Sequence, residues 1–198
     1  MKKTLAIVAI GALAFLPGCV RSTDDGDGPE SYPELTLGWA RLLAEEVRDA
    51  ELPGGEQTYA FAGFVDSDGL LDEVVGAESR YVFFFAEPGA LADVDGLWVT
   101  VYFTGDTEYD TGECDFETPL PKFSDAGPWV EAADDALETI GGVEFTQRTY
   151  EVREGCFEYE PPDRFVVQMD YWWERTEHKA KVILDAETCE IIHVEDFR

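Results

Sequence analysis

A period of two runs through the chain's apolar stretches, and it restricts the fold more than any other feature. In Leu97–Thr104 (LWVTVYFT), Val99, Val101 and Phe103 point to one side of an extended backbone, and Trp98 and Tyr102 point to the other. In Phe165–Arg175, Phe165, Val167, Met169, Tyr171 and Trp173 share one side. Trp172 shares the opposite side with Gln168, Asp170 and Glu174. Alternation of this kind belongs to strands with one buried face. Further strands are expected over Glu56–Val65, Arg80–Ala86, Val143–Arg153, Arg164–Arg175, Lys179–Asp185 and Glu190–Phe197, with a short one over Cys114–Phe116.

Two stretches change to helical spacing. Leu35, Trp39, Leu42, Leu43 and Val47 predict a helix over Leu35–Ala50, stopped by Pro53-Gly54-Gly55. Trp129, Ala133, Ala136, Leu137 and Ile140 predict a second over Pro128–Ile140. Its first turn carries a proline, and Gly141-Gly142 ends it. Asp68 is read as the cap of a short helix over Leu70, Leu71, Val74 and Val75, and Gly105–Glu113 as an acidic turn.

This order predicts an α+β fold. Two similar helix-plus-antiparallel-meander halves are expected, residues 33–121 and 122–198, with the helices packed on one sheet face. The sequence Asp110-Thr111-Gly112-Glu113 echoes Glu187-Thr188-Cys189-Glu190, as if the same turn were used twice. In the second half, a helix ending in Gly-Gly-Val is followed by two strands. The segment Ala-Lys-Val-Ile-Leu-Asp-Ala-Glu-Thr-Cys-Glu-Ile-Ile closes it. This half resembles PepSY-type domains of the cystatin-like fold, with Cys189 where that family has glycine. The resemblance implies a small exported binding or inhibitory module and supplies no catalytic residues.

The first residues address the chain. Lys2 and Lys3, an apolar run from Leu5 to Phe15 and then Leu16-Pro17-Gly18-Cys19 read as a secretory signal. The apolar run falls short of the ~20 residues a spanning helix needs. The ending resembles the lipobox of bacterial lipoproteins. That resemblance implies cleavage after residue 18, lipidation of Cys19 and attachment to the exported side of the cell envelope. Residues 19–32 would then be a flexible acidic tether.

Composition narrows the partners. Forty-three acids stand against fourteen bases, so nucleic acid and anionic lipid surfaces are repelled. A cationic partner or a salt-adapted surface accounts for the excess. Contact with the membrane is expected through the lipid anchor alone. Export permits disulfides, and Cys114, Cys156 and Cys189 remain after Cys19. A Cys156–Cys189 bridge is expected because both residues fall near hairpin tips at one end of a meander, with Cys114–Cys156 as the alternative.

Catalytic signatures are missing. The two histidines, His178 and His193, lie on or beside strands, and no nucleophile elbow or phosphate loop occurs. Cys189 and His193 lie ~13 Å apart if on one strand, too far to share zinc. Asp106–Glu117 has the acid spacing of a calcium loop but Thr111 at the obligatory glycine. No cofactor or metal is expected.

The sequence therefore predicts a non-catalytic protein- or peptide-binding lipoprotein. Its binding face carries Trp98, Tyr102, Trp172, Asp170 and Glu174, aromatics among acids on the sheet side away from the helices. The alternatives are a small hydrolase using a carboxylate pair and a structural lipoprotein with a salt-adapted surface.

Overall fold

The computed structural model describes residues 3–4, 35–72, 78–88, 94–116, 118–155, 160–161 and 163–198. Its elements are β1 (Lys3–Thr4), α1 (Leu37–Glu51), β2 (Glu56–Val65), β3 (Arg80–Ala86), β4 (Val94–Tyr102) and β5 (Thr107–Cys114). They continue as α2 (Gly127–Thr139), β6 (Gln147–Glu154), β7 (Phe165–Trp173), β8 (Glu177–Asp185) and β9 (Ile191–Asp196). All strands join one antiparallel sheet in the order β1-β5-β4-β3-β2-β6-β7-β8-β9.

This overturns the expectation of two helix-plus-meander halves. β2 pairs with β6 through Ala60↔Val152, Phe61↔Glu151 and Ala62↔Tyr150, so hydrogen bonding runs unbroken across the proposed division. The molecule is one strand-dominated sheet, with two helices among the described residues. The supposed repeat of acidic turns fails as well. Asp110–Glu113 lies inside strand β5, paired with β4 from Asp95 to Trp98, whereas Glu187–Glu190 is a genuine turn. The first stretch was misread because an edge strand need not bury either face. The real turn is Phe103–Asp106, where Gly105 takes a positive φ of 85°.

Both helices cover the same sheet face. Val99, Phe83, Ala60, Val152, Val167 and Leu184 face them in one row, and all are buried. Thr36 caps α1, its hydroxyl accepting from Trp39 N at 3.2 Å. The helix buries Leu37, Ala40, Ala44 and Val47. Trp39 and Leu42, expected in the packed stripe, are 57% and 50% exposed. Alanines occupy the contact instead, because short side chains let the helix approach a sheet whose own rings (Phe83, Phe85) fill the gap. α2 buries Trp129, Val130, Ala133, Ala136 and Leu137. Gly141 and Gly142 end it in positive φ, and Gly142 N returns to Leu137 O at 3.0 Å.

The expected Asp68 cap is not made in the described part of that segment. Asp66 Oδ1 instead accepts from Asp68 N and Leu70 N, forming an Asx-type turn, and Leu71 pairs with Val65. Residues 73–77, where the short helix would continue, lie outside the described residues, as do Cys19 and the tether.

The last hairpin explains its own motif. Asp185 Oδ1 accepts from Glu187 N, Thr188 N and Thr188 Oγ1, all within 3.0 Å, and Arg164 Nη1 approaches Oδ2 at 3.1 Å. Burial alone would raise the Asp185 carboxyl, but these donors, led by the Thr188 N–H, outweigh it and hold the group below the usual range. A depressed carboxyl stabilises the fold fully above its unfolded value near ~3.9. That contribution fades as pH falls through the folded value. Asp185→Asn should therefore cost stability at pH 6 and cost less near pH 3. Urea unfolding at both pH values checks this, and an equal cost at both would contradict it.

Cys189 completes this turn at φ 58°, the left-handed conformation that makes glycine the usual choice there. Its thiol is free, so the expected bridge is not made at Cys189. Cys156 lies outside the described residues. Cys114 is also free, and burial pushes its thiol up.

Candidate functional site

The face away from the helices is laid out in rows by the strand register. One row runs Asp110, Trp98, Phe84 and Tyr59 across β5, β4, β3 and β2. The next carries Glu108, Thr100, Val82, Phe61, Glu151, Gln168, Ile183 and His193 from β5 to β9.

At the β4 end stands an aromatic group. Trp98 packs on Phe84 with ring centres 4.7 Å apart and meets Tyr59 edge-on at 5.7 Å, while Tyr59 stacks on Phe116 at 5.5 Å. Gly112 makes the Trp98 position accessible. A Cβ there would come within 3.1 Å of indole Cδ1 and Nε1, so the ring lies over bare backbone of β5.

Beside Trp98 opens a cavity of ≈ 310 Å³ whose walls include Arg80, Trp98, Tyr102, Glu108 and Asp110. Tyr102 Oη donates to Glu108 Oε2 at 2.8 Å. Partial burial, and then this bond, raise the Tyr102 phenol above its usual value, so it stays neutral and keeps donating. Two carboxylates and two aromatic walls suit a cationic or amphipathic side chain. Arg80 adds a donor for a backbone carbonyl or carboxylate.

Toward the centre of the face, charge is buried. Arg153 is 1% exposed and Glu160 4%. The guanidinium donates to Glu160 through Nη1 at 2.7 Å and Nη2 at 2.9 Å, and Nε donates to Glu151 at 2.9 Å. Tyr59 Oη donates to the other Glu151 oxygen at 3.0 Å, and the Phe116 ring lies against the guanidinium. The charge is paired on two sides, as burial requires. Glu160 thereby fastens the β6–β7 connection to the sheet.

The remaining expected residues sit on β7 and beyond. Asp170 accepts from Gln168 Nε2 at 2.8 Å. Its other oxygen lies 2.8 Å from His178 Nε2, out of line for a hydrogen bond. Burial raises the Asp170 carboxyl. Trp172 stacks on His178 at 4.6 Å, which in turn packs on Phe197 at 4.4 Å, and Trp172 Nε1 donates to Thr149. Glu174 stands in the β7–β8 turn at φ 47°, exposed, its N–H on Thr146 Oγ1.

Thus the structure gathers Trp98 and Tyr102 around one cavity. Asp170 and Trp172 share that face four strands away, about 19 Å at the usual strand spacing. The five do not form one patch. Arg80, Glu108 and Asp110 were missed as site residues. Arg80 is legible in retrospect, since it alternates with Val82 and Phe84. Glu108 and Asp110 were hidden in a stretch read as a turn. That same strand holds Glu108 and Asp110 extended along one side of the sheet, rather than wrapped around a common centre as in a calcium loop. Among the described residues, no group of three or more His, Cys, Asp or Glu side chains is placed to hold a metal.

No family model, curated protein or solved structure matches the chain.

Proposed function

We propose that the chain is an envelope lipoprotein, anchored through Cys19, whose exported part binds a protein or peptide without catalysis. The cavity between Trp98, Tyr102, Glu108 and Asp110 supports this reading most directly. It lies on the sheet face opposite both helices and combines aromatic walls with carboxylates. A cationic partner fits these carboxylates and the net charge of −29. Cleavage and lipidation rest on the lipobox residues. No helix among the described residues is long and apolar enough to cross a membrane.

Two substitutions test the binding face. Trp98→Ala removes a half-buried aromatic wall and should weaken partner capture from the native envelope by about 2 kcal/mol, roughly thirtyfold. Trp172→Ala should weaken it less, since that ring is engaged by His178 and Thr149. Circular dichroism of both variants should retain the native spectrum. Unchanged capture by Trp98→Ala would remove the cavity from the binding surface.

A further inference from the structure

The cavity opens beside an edge of the sheet. Among the described residues, β5 is bounded on one side by β4 and on the other only by the two residues of β1, with Lys3↔Tyr109 and Thr4↔Glu108. Those two residues belong to the leader. On the reading proposed above, cleavage before Cys19 removes them, and the outer edge of β5 loses its pairing at Glu108 and Tyr109. All other strands and both helices lie after Cys19 and are kept.

An uncovered edge of eight residues invites pairing, and proteins usually blunt such an edge. β5 carries no proline or lysine. Its devices are Glu108, Asp110 and Glu113, of which Asp110 and Glu113 are exposed. Acids along an edge repel a second copy of a chain with net charge −29 and repel acidic strands generally. They do not repel a basic strand.

The geometry points to a definite partner class. We infer that β5 accepts an extended segment of a partner protein as an added antiparallel strand, and that this segment carries Lys or Arg at alternate positions. The register supplies the reason for alternation. Glu108 and Asp110 are two apart and share the cavity side with Thr100 and Trp98. Residues opposite them on an added strand fall on that same side, at the cavity rim. Main-chain bonds supply affinity, and the carboxylates and the Trp98 ring select the basic side chains. The contact of Lys3–Thr4 with the same edge, in antiparallel register, is this mode in miniature.

The inference rests on the proposed binding function and is tested separately from it. The processed chain, residues 19–198, is titrated with a fluorescent eight-residue peptide of alternating Lys and Thr. Two further peptides carry N-methyl groups on alternate amides, one on the odd set and one on the even set. Strand addition predicts that one methylated set loses about tenfold or more in affinity while the other binds like the parent, because only alternate amides face the edge. Glu108→Gln with Asp110→Asn should weaken the parent peptide by a similar factor, and an alternating Glu-Thr peptide should not bind. Equal affinity of both methylated peptides would reduce the contact to charge attraction and overturn the strand. Failure of the parent peptide to bind would overturn it as well. If Trp98→Ala abolishes partner capture while the parent peptide fails, the binding face stands and only the strand addition falls.

Discussion

Glu160→Ala is expected to destabilise the protein by about 3–5 kcal/mol, because it strands a buried guanidinium. Arg153 is 1% exposed and makes a two-pronged contact with Glu160, whose side chain is fully enclosed. Glu151 remains at 2.9 Å, and Tyr59 holds it there, so part of the charge stays compensated and the lower end of the range is expected. The double replacement Arg153→Met with Glu160→Leu removes both charges and fills the space. It should recover most of the loss or exceed the native stability, as buried ion pairs exchanged for apolar groups commonly do. Urea unfolding of the three proteins decides the matter. A Glu160→Ala protein within about 1 kcal/mol of native would mean that water reaches Arg153 and that the pair is not closed.

Trp129→Ala should cost about as much, roughly 3–5 kcal/mol, for a different reason. Trp129 is the wedge between α2 and the sheet. It is 3% exposed, meets Phe123 and Tyr150 edge-on at 5.1 and 5.7 Å, and donates from Nε1 to Ala186 O at 2.9 Å. Alanine there leaves a cavity and an unpaired buried carbonyl. Trp129→Phe separates the two effects. It keeps a ring in the site but not the donor, and should cost about 1–3 kcal/mol. If phenylalanine proves as damaging as alanine, the hydrogen bond to Ala186 outweighs the packing. If phenylalanine is neutral, the bond contributes nothing measurable.

These two residues differ in how readable they were. Trp129 stands at helical spacing with Ala133, Ala136 and Leu137, and its burial follows from the pattern. Arg153 and Glu160 carry no such mark. In a chain with forty-three acids, a buried glutamate looks like any exposed one, and only tertiary contact distinguishes it. The same contrast runs through the fold. The Leu97–Tyr102 part of β4 and Phe165–Trp173 were legible because burial of one face imposes a period of two, and Arg80–Ala86 because a short unbroken run of aromatic and β-branched residues marks a strand buried on both faces. Thr107–Cys114 was not, because an edge strand exposes polar groups on both sides and resembles a turn. The packed face of α1 was misjudged by choosing the large apolar residues, when Ala40 and Ala44 make the close contact. Pairing of β2 with β6 left no signal, since backbone bonds impose little on side-chain identity. At the candidate site, alternation placed Trp98, Tyr102, Asp170 and Trp172 on the correct face. Their separation depends on strand order, which alternation does not encode.

That central pairing also bears on how the chain reaches its fold. β2–β3, β3–β4 and β4–β5 join strands adjacent in sequence, as do β6–β7, β7–β8 and β8–β9. The β2–β6 pairing instead brings Val65 beside Arg148, enclosing a loop that contains three strands and a helix. Closing so long a loop is the entropically expensive step, and pairings of this separation slow folding. Until it closes, β2 and β6 are both temporary edges with apolar faces. The acids and helices that guard the finished sheet do not protect this internal seam. The interval before this pairing closes is thus when the chain is most open to pairing with the wrong strand.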